Sequence, residues 1–178
     1  LDIVGIGNAM VDAIIPSNKE EVEKNNLNRD SMNLIDEDLK NSLHQNYTIK
    51  EMAGGGSLGN SMFGITSFGG NGSFIGKIKN DEVGIFLQKD MVREGLQFPL
   101  GFTSPDISTG CCTIFVEEDG IRTMCTFLGA GTLIGPEDIH PAHITNHKIA
   151  YLEGYLWDNQ DAKMAMKKKI GARALRSI

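Results

Sequence analysis

The sequence has no massed basic segment, no C-x-x-C pair, no Gly-Lys-Ser or Gly-Lys-Thr step, no internal repeat and no low-complexity tract. Each absence narrows the reading. The 17 basic residues are scattered among 23 acidic ones for a formal net charge of -6, so there is no general attraction for nucleic acid or an anionic membrane surface. A small-molecule partner is expected instead. Only three cysteines occur, Cys111, Cys112 and Cys125, and a vicinal pair plus one suits neither a disulfide framework nor a zinc site. Core thiols in a reducing, cytoplasmic compartment are expected. The apolar start LDIVGIGNAMVDAII carries Asp2 and Asp12, lacks a basic leader and is too short to span a bilayer, so it reads as buried strand. The 178 residues suit one domain, or part of a larger one, with a substantial core.

Asp2 to Gly7 is a β-branched run closed by Gly5 and Gly7, the pattern of a central strand emerging into a tight turn. Ala9 to Ile15 reads as a second extended piece that Pro16 ends. Lys19 to Asn26 and Asp36 to Leu43 read as short helices, the latter with Asp36 as N-cap. Leu58, Met62 and Ile65 recur at helical spacing and predict a helix from Ser57 to about Phe68. Ser73 to Ile78 reads as a strand and Glu82 to Glu94 as an amphipathic helix. This alternation predicts a parallel sheet covered by helices. At Thr109 the pattern changes to two β-rich runs around Asp119 and Gly120, a hairpin signal. Pro136 to Ile144 offers a helical turn, Lys148 to Leu152 a strand, and Asp161 onward a helix.

The stretch AGGGSLGNSMFGITSFGG, Ala53 to Gly70, poses the functional question. Gly54, Gly56 and Gly59 have the G-x-G-x-x-G spacing of a dinucleotide-binding turn, with Asp81 or Glu82 at a distance suited to a ribose. Against that reading, the preceding TIKEMA makes a poor buried strand, and the better strand at the N-terminus lacks the third glycine. A plainer reading has Gly54 to Gly56 making a tight turn while Gly59 and Gly64 let the helix pack closely. A third weighs the neighbours: Asn60 in the first helical turn, and Asn8 and Asp12 beyond another glycine turn. A carboxylate and a carboxamide beside bare backbone amides suit a polyhydroxylated ligand.

These residues resemble the ribokinase and adenosine kinase family, the PfkB-type carbohydrate kinases. The resemblance rests on GIGNAMVD (Gly5 to Asp12), GGSLGN (Gly55 to Asn60) and FGGNGSFIGKIKNDEVG (Phe68 to Gly84), the last similar to the family's first signature. RTMCTFLGA (Arg122 to Ala130) and YLEGYLW (Tyr151 to Trp157) look like a bacterial adenosine-kinase-like branch. The resemblance implies a ribokinase-like α/β fold, mainly a parallel sheet with helices on both faces, plus a small β-sheet lid formed by about residues 10–16 and 109–127. It implies that Asp12, Gly55, Gly56 and Asn60, with Asn8 as a further candidate, bind the hydroxyls of a sugar or nucleoside. Asp81 is expected to cap the helix that follows it. Arg122 is open between the ligand side of the lid and a solvated hairpin position.

The resemblance also implies ATP and Mg2+ as cosubstrate and cofactor, and a homodimer through the lid. The family's second signature, D-T-x-G-A-G-D, which carries the catalytic base, is not in the sequence, nor is its N-x-x-E element. Gly129-Ala130-Gly131 is followed by Thr132 and is not assigned that role. Residues 1–178 are therefore expected to be the N-terminal part of a ribokinase-like domain whose ATP-binding part lies elsewhere. The expected function is phosphorylation of a primary hydroxyl, adenosine-like first and ribose- or fructose-like second. The alternative is a non-catalytic sugar- or nucleoside-binding fragment or subunit.

Overall fold

The computed structural model describes residues 1–158 together with 160, 161, 163 and 164. The strands are β1 (Ile3–Ile6), β2 (Met10–Ser17), β3 (Met32–Leu34), β4 (Glu51–Gly55), β5 (Gly72–Ile75), β6 (Ile78–Lys79), β7 (Phe102–Ser104), β8 (Gly110–Glu117), β9 (Arg122–Phe127) and β10 (Ile149–Leu152). The helices are α1 (Lys19–Lys24), α2 (Glu37–Asn46), α3 (Ser57–Ser67), α4 (Glu82–Arg93) and α5 (Pro141–Thr145), with 3-10 turns at Gly129–Leu133 and Gly154–Asp158.

A parallel sheet, β10-β1-β5, forms the body. Every residue of the central β1 is buried because strands and helices cover it on all sides. Alternation along the strands sorts the two faces. Ile3 and Phe74 pack with Leu58 and Met62 of α3 and Leu87 and Met91 of α4. Val4, Ile6 and Ile75 point the other way, against Ile134, Ile139 and Leu156, with Ile144 of α5 alongside. The expected parallel sheet with helices on both faces is the one found.

A second sheet, β3-β9-β8-β2-β4, forms the lid. β2 pairs antiparallel with β4 and parallel with β8, which turns back antiparallel into β9. The turn has Gly120 at φ +86 and its N–H donating to the Glu117 carbonyl, so the Asp-Gly signal marks a real hairpin. On one face Ile15, Phe115 and Cys125 pack with Val22 of α1 and Leu43 of α2. The opposite face carries Met10, Cys112, Ile114, Val116 and Met124.

The structure corrects several expectations. The lid includes β3 and β4 besides the expected strands; β4 is an edge strand with an exposed Glu51, which is why its sequence reads poorly as a buried one. Pro16 does not end β2, which continues to Ser17. The Lys50 N–H donates to the Ile14 carbonyl on the β4 side, and Pro16, two residues on, lies past the last β4 partner, so its missing N–H removes no ladder bond. The expected strand from Ser73 to Ile78 is two strands in different sheets, because the chain turns at Gly76 and Lys77. There Lys77 Nζ donates to Asp138 Oδ2 at 2.9 Å and to the Leu133 carbonyl at 3.2 Å. The helical turn begins at Pro141 rather than Pro136, with His140 as its N-cap. Gln160, Asp161, Lys163 and Met164 are helical; the rest of that expected helix and KKKIGARALRSI lie outside the described residues.

Candidate functional site

β1 ends at the edge of the body, and the chain passes through Gly7, Asn8 and Ala9 into β2 of the lid. β4 returns from the lid into α3 through Gly56, so the two segments flagged in the sequence cross between body and lid side by side. Glu153, just after β10, ties them together. Its Oε2 accepts from the Asn8 N–H at 2.6 Å and from Asn8 Nδ2 at 2.9 Å, and its Oε1 accepts from the Leu58 N–H at 3.3 Å. Gly56, the N-cap of α3, has no side chain to offer, so Glu153 supplies a helix-start acceptor from a distant part of the chain.

Asp12 lies on the inner face of the lid, with Ala53 and Cys112 as its register partners. It is half-buried, and no hydrogen bond from the described residues reaches its carboxylate. Burial raises its pKa above the ordinary aspartate value, partly offset by the positive charge of Arg122. Its carboxylate rests against Gly55, where any Cβ would run into it. Gly56 follows at φ +80, a conformation that disfavours other residues. The close approach and the left-handed turn thus each require glycine.

Asp12, Gly55 and Gly56 are therefore brought together. Asn60 is exposed on the first turn of α3, its N–H donating to the Gly56 carbonyl at 3.0 Å. Asn8 is 6% exposed, and its Nδ2 donates to Glu153. Gly59 and Gly64 do not serve close packing: a Cβ on Gly59 would have only Phe63 at 3.9 Å, and one on Gly64 would have no neighbour within 4 Å. Arg122 is exposed, and its strand alternation puts it on the Asp12 face of the lid.

Asp81 caps α4 as expected, with the Gly84 N–H donating to Oδ1 at 2.8 Å. It does more, because Oδ2 accepts from the Thr109 N–H at 2.9 Å and Oδ1 from the Thr109 hydroxyl at 2.7 Å, just before β8. The three cysteines are buried free thiols, pushed up by burial to about 12 for Cys111, about 11 for Cys112 and about 12 for Cys125, which leaves them protonated and inert. Sequence reasoning missed the role of Glu153. The available signal was a lone carboxylate inside the otherwise apolar run IAYLEGYL.

The family model described as pfkB family carbohydrate kinase matches residues 2–174. An adenosine kinase from Sinorhizobium meliloti is 36% identical and superposes with a TM-score of 0.83 over 94% of this chain and 51% of its own. A probable sugar kinase from Rhizobium etli CFN 42 is 33% identical, with a TM-score of 0.85 over 99% of this chain and 54% of its own. A bifunctional ribokinase/ribose-5-phosphate isomerase A from Fructilactobacillus sanfranciscensis is 29% identical over 110 residues, 60% of this chain and 20% of that protein. The chain thus spans about half the length of these two solved structures and a fifth of the curated relative.

Proposed function

Because the chain belongs to the pfkB family of carbohydrate kinases and has its ribokinase-like α/β fold, we propose that the whole protein transfers the γ-phosphoryl group of ATP to a primary hydroxyl of a nucleoside or sugar. In this reading residues 1–178 form the N-terminal part of the domain and supply the acceptor site. The observation that carries it is the Asp12 carboxylate, half-buried, unclaimed by any hydrogen bond from the described residues and laid against the bare backbone of Gly55.

An ionised carboxylate in that position accepts from two adjacent hydroxyls, and Asn60 both donates and accepts one turn into α3. Gly55 and Gly56 leave room for the sugar ring, and Asn8, held by Glu153, fixes the path into β2. The inner lid face, with Met10, Ile14, Cys112, Ile114 and Met124, is largely apolar and would keep water from the acceptor once closed over it. Adenosine is the first acceptor, supported by likeness to the Sinorhizobium adenosine kinase; ribose or a related sugar is second, supported by the probable sugar kinase. Nothing among the described residues is assigned to recognition of a base.

ATP and Mg2+ enter through the family. Among the described residues no three His, Cys, Asp or Glu side chains lie together to hold a metal ion. No helix among them is long and apolar enough to cross a membrane. A cytoplasmic setting is supported by the three buried free thiols. A homodimer through the lid is part of the same reading, and sedimentation of the intact protein tests it.

The deciding experiment is calorimetric titration of the intact protein and its Asp12→Asn variant with adenosine, ribose and fructose, followed by an ATP-dependent turnover assay. Saturable binding that weakens in the variant, with turnover, supports the kinase. Binding without turnover supports the second reading, a non-catalytic sugar- or nucleoside-binding module or subunit. Stabilisation by NAD and by none of these ligands defeats both.

A further inference from the structure

We propose that Asp90 is a positioning residue, which latches the lid to the body and thereby holds the glycine segment against Asp12; this rests on the acceptor site proposed above. Asp90 lies in α4 on its buried stripe with Gly84, Leu87 and Met91 and is 5% exposed. A carboxylate at a core-facing helix position is unfavourable unless its oxygens are engaged. Here Oδ2 accepts from the Gly54 N–H at 2.8 Å, while the buried Oδ1 accepts no hydrogen bond and is balanced only by the charge of the Arg93 guanidinium beside it, so the Gly54 contact is the one hydrogen bond of this carboxylate among the described residues.

The acceptor falls where the sheet needs one. β4 is the outermost strand of the lid, paired only with β2, so N–H groups on its outer edge have no strand partner. Asp90 provides that partner from the body. The approach is close: a Cβ on Gly54 would lie 2.6 Å from the Phe63 ring and 2.9 Å from Asp90 Oδ2, so a side chain at the first glycine of the cluster would run into both Phe63 and the latch. Gly55, against which Asp12 rests, is the next residue.

The other end of α4 repeats the arrangement. Asp81 holds Thr109 immediately before β8, while Asp90 holds Gly54 at the end of β4. β8 and β4 are the two neighbours of β2, the strand that carries Asp12. α4 therefore grips the lid on both sides of the Asp12 strand. Asp81 also caps its own helix; Asp90 has no capping duty, which makes its contribution to the site separable.

The test compares the intact wild-type protein with Asp90→Ala and Asp90→Asn, reading hydrogen exchange at the Gly54 amide, thermal unfolding, and calorimetric affinity for adenosine and ribose. Asn keeps an oxygen acceptor where Ala keeps none. The expected result is that Asp90→Ala loses Gly54 protection and binds roughly tenfold more weakly, while Asp90→Asn restores both to within about threefold. A residue that only stabilises the fold would lower the melting temperature of Asp90→Ala and leave the affinity of the folded protein unchanged, which overturns the proposal. So does an Asp90→Asn protein that protects Gly54 yet binds as weakly as the Ala variant. If Asp90→Ala does not fold, Asp90→Ser, whose hydroxyl is too short to reach Gly54, replaces it. If the wild type binds neither ligand, the proposed function fails; protection of Gly54 lost with Ala or Ser and kept with Asn then supports the latch, and unchanged protection overturns it.

Discussion

The carboxylate of Asp12 lies in the space that a side chain on Gly55 would fill. The two residues are diagonal neighbours on one face of the antiparallel β2–β4 pair, with Asp12 opposite Ala53 and Met10 opposite Gly55. A side chain therefore cannot be added at Gly55 without moving the Asp12 carboxylate.

A methyl group at residue 55 should therefore displace the Asp12 carboxylate. Gly55→Ala is expected to destabilise the protein by about 1–3 kcal/mol and to weaken acceptor binding by roughly tenfold or more. Gly64→Ala is the contrasting case, since Gly64 is a half-buried helical residue and its Cβ would find nothing within 4 Å. It should stabilise by about 0.5–1 kcal/mol and leave binding unchanged. Thermal unfolding with calorimetric titration checks both, and a stabilised Gly55→Ala would contradict the contact.

Asp12→Asn should separate stability from binding. Burial holds the pKa of Asp12 above its ordinary value, against the smaller opposing effect of Arg122. The folded state then binds the proton more tightly than the unfolded chain, so this group's stabilisation is complete below the ordinary value and is lost as pH rises through the raised one. At neutral pH the neutral Asn is relieved of that penalty, and Asp12→Asn should melt no lower than wild type and up to about 2–4 °C higher. It should bind the acceptor more weakly by about 1–3 kcal/mol, having lost a charge-assisted acceptor. Wild-type affinity should also fall as pH drops through the raised Asp12 pKa while the variant's stays flat. Parallel affinity profiles for the two proteins would remove Asp12 from the site.

Much of this was legible in the chain. Hydrophobic spacing located α3 and α4, Asp-Gly located the β8–β9 turn, and Asp36 and Asp81 were readable as caps because an acid before an apolar run is a local signal. What escaped was whatever depends on pairing across the chain. β3 and β4 are short lid strands whose existence depends on β9 and β2, 88 or more and 34 or more residues away respectively, and they carry little periodicity of their own. Glu153 reaches Asn8 across 145 positions and Asp90 reaches Gly54 across 36, so neither contact leaves a trace in local composition. Asn8 reads as a ligand candidate from its type and place, and the fold adds that its Nδ2 donates to Glu153.

Asp81 shows how a local signal understates a residue. As a cap alone, its removal would cost about 1 kcal/mol. It also accepts from the Thr109 N–H and hydroxyl, so Asp81→Ala should cost about 2–4 kcal/mol; Thr109→Val spares the backbone donor but takes the Oγ1 acceptor from the Lys79 N–H as well, and should cost about 1–3 kcal/mol. Chemical denaturation of both variants and the double variant should give less than the sum of the single effects, because the two residues share one interaction. Strict additivity would mean that the Thr109 hydroxyl contributes nothing through Asp81, leaving the Thr109 N–H as the link between α4 and β8.

Both oxygens of the buried Glu153 accept hydrogen bonds from donors on different segments. In Glu153→Gln one oxygen becomes an NH2 group, which must face either the Asn8 donors on Oε2 or the Leu58 N–H on Oε1. A donor then meets a donor in a buried site, at a cost of about 1–3 kcal/mol and a fall in melting temperature of about 2–10 °C. Charge neutralisation by itself does not predict this, and Glu118→Gln, on the exposed hairpin turn, should change stability by no more than about 0.5 kcal/mol. Because the carboxylate joins the path into β2 to the start of α3, the same variant should raise hydrogen exchange at Asn8 and Leu58 together. Exchange rising at only one of them would mean that Glu153 supports a single segment rather than the junction.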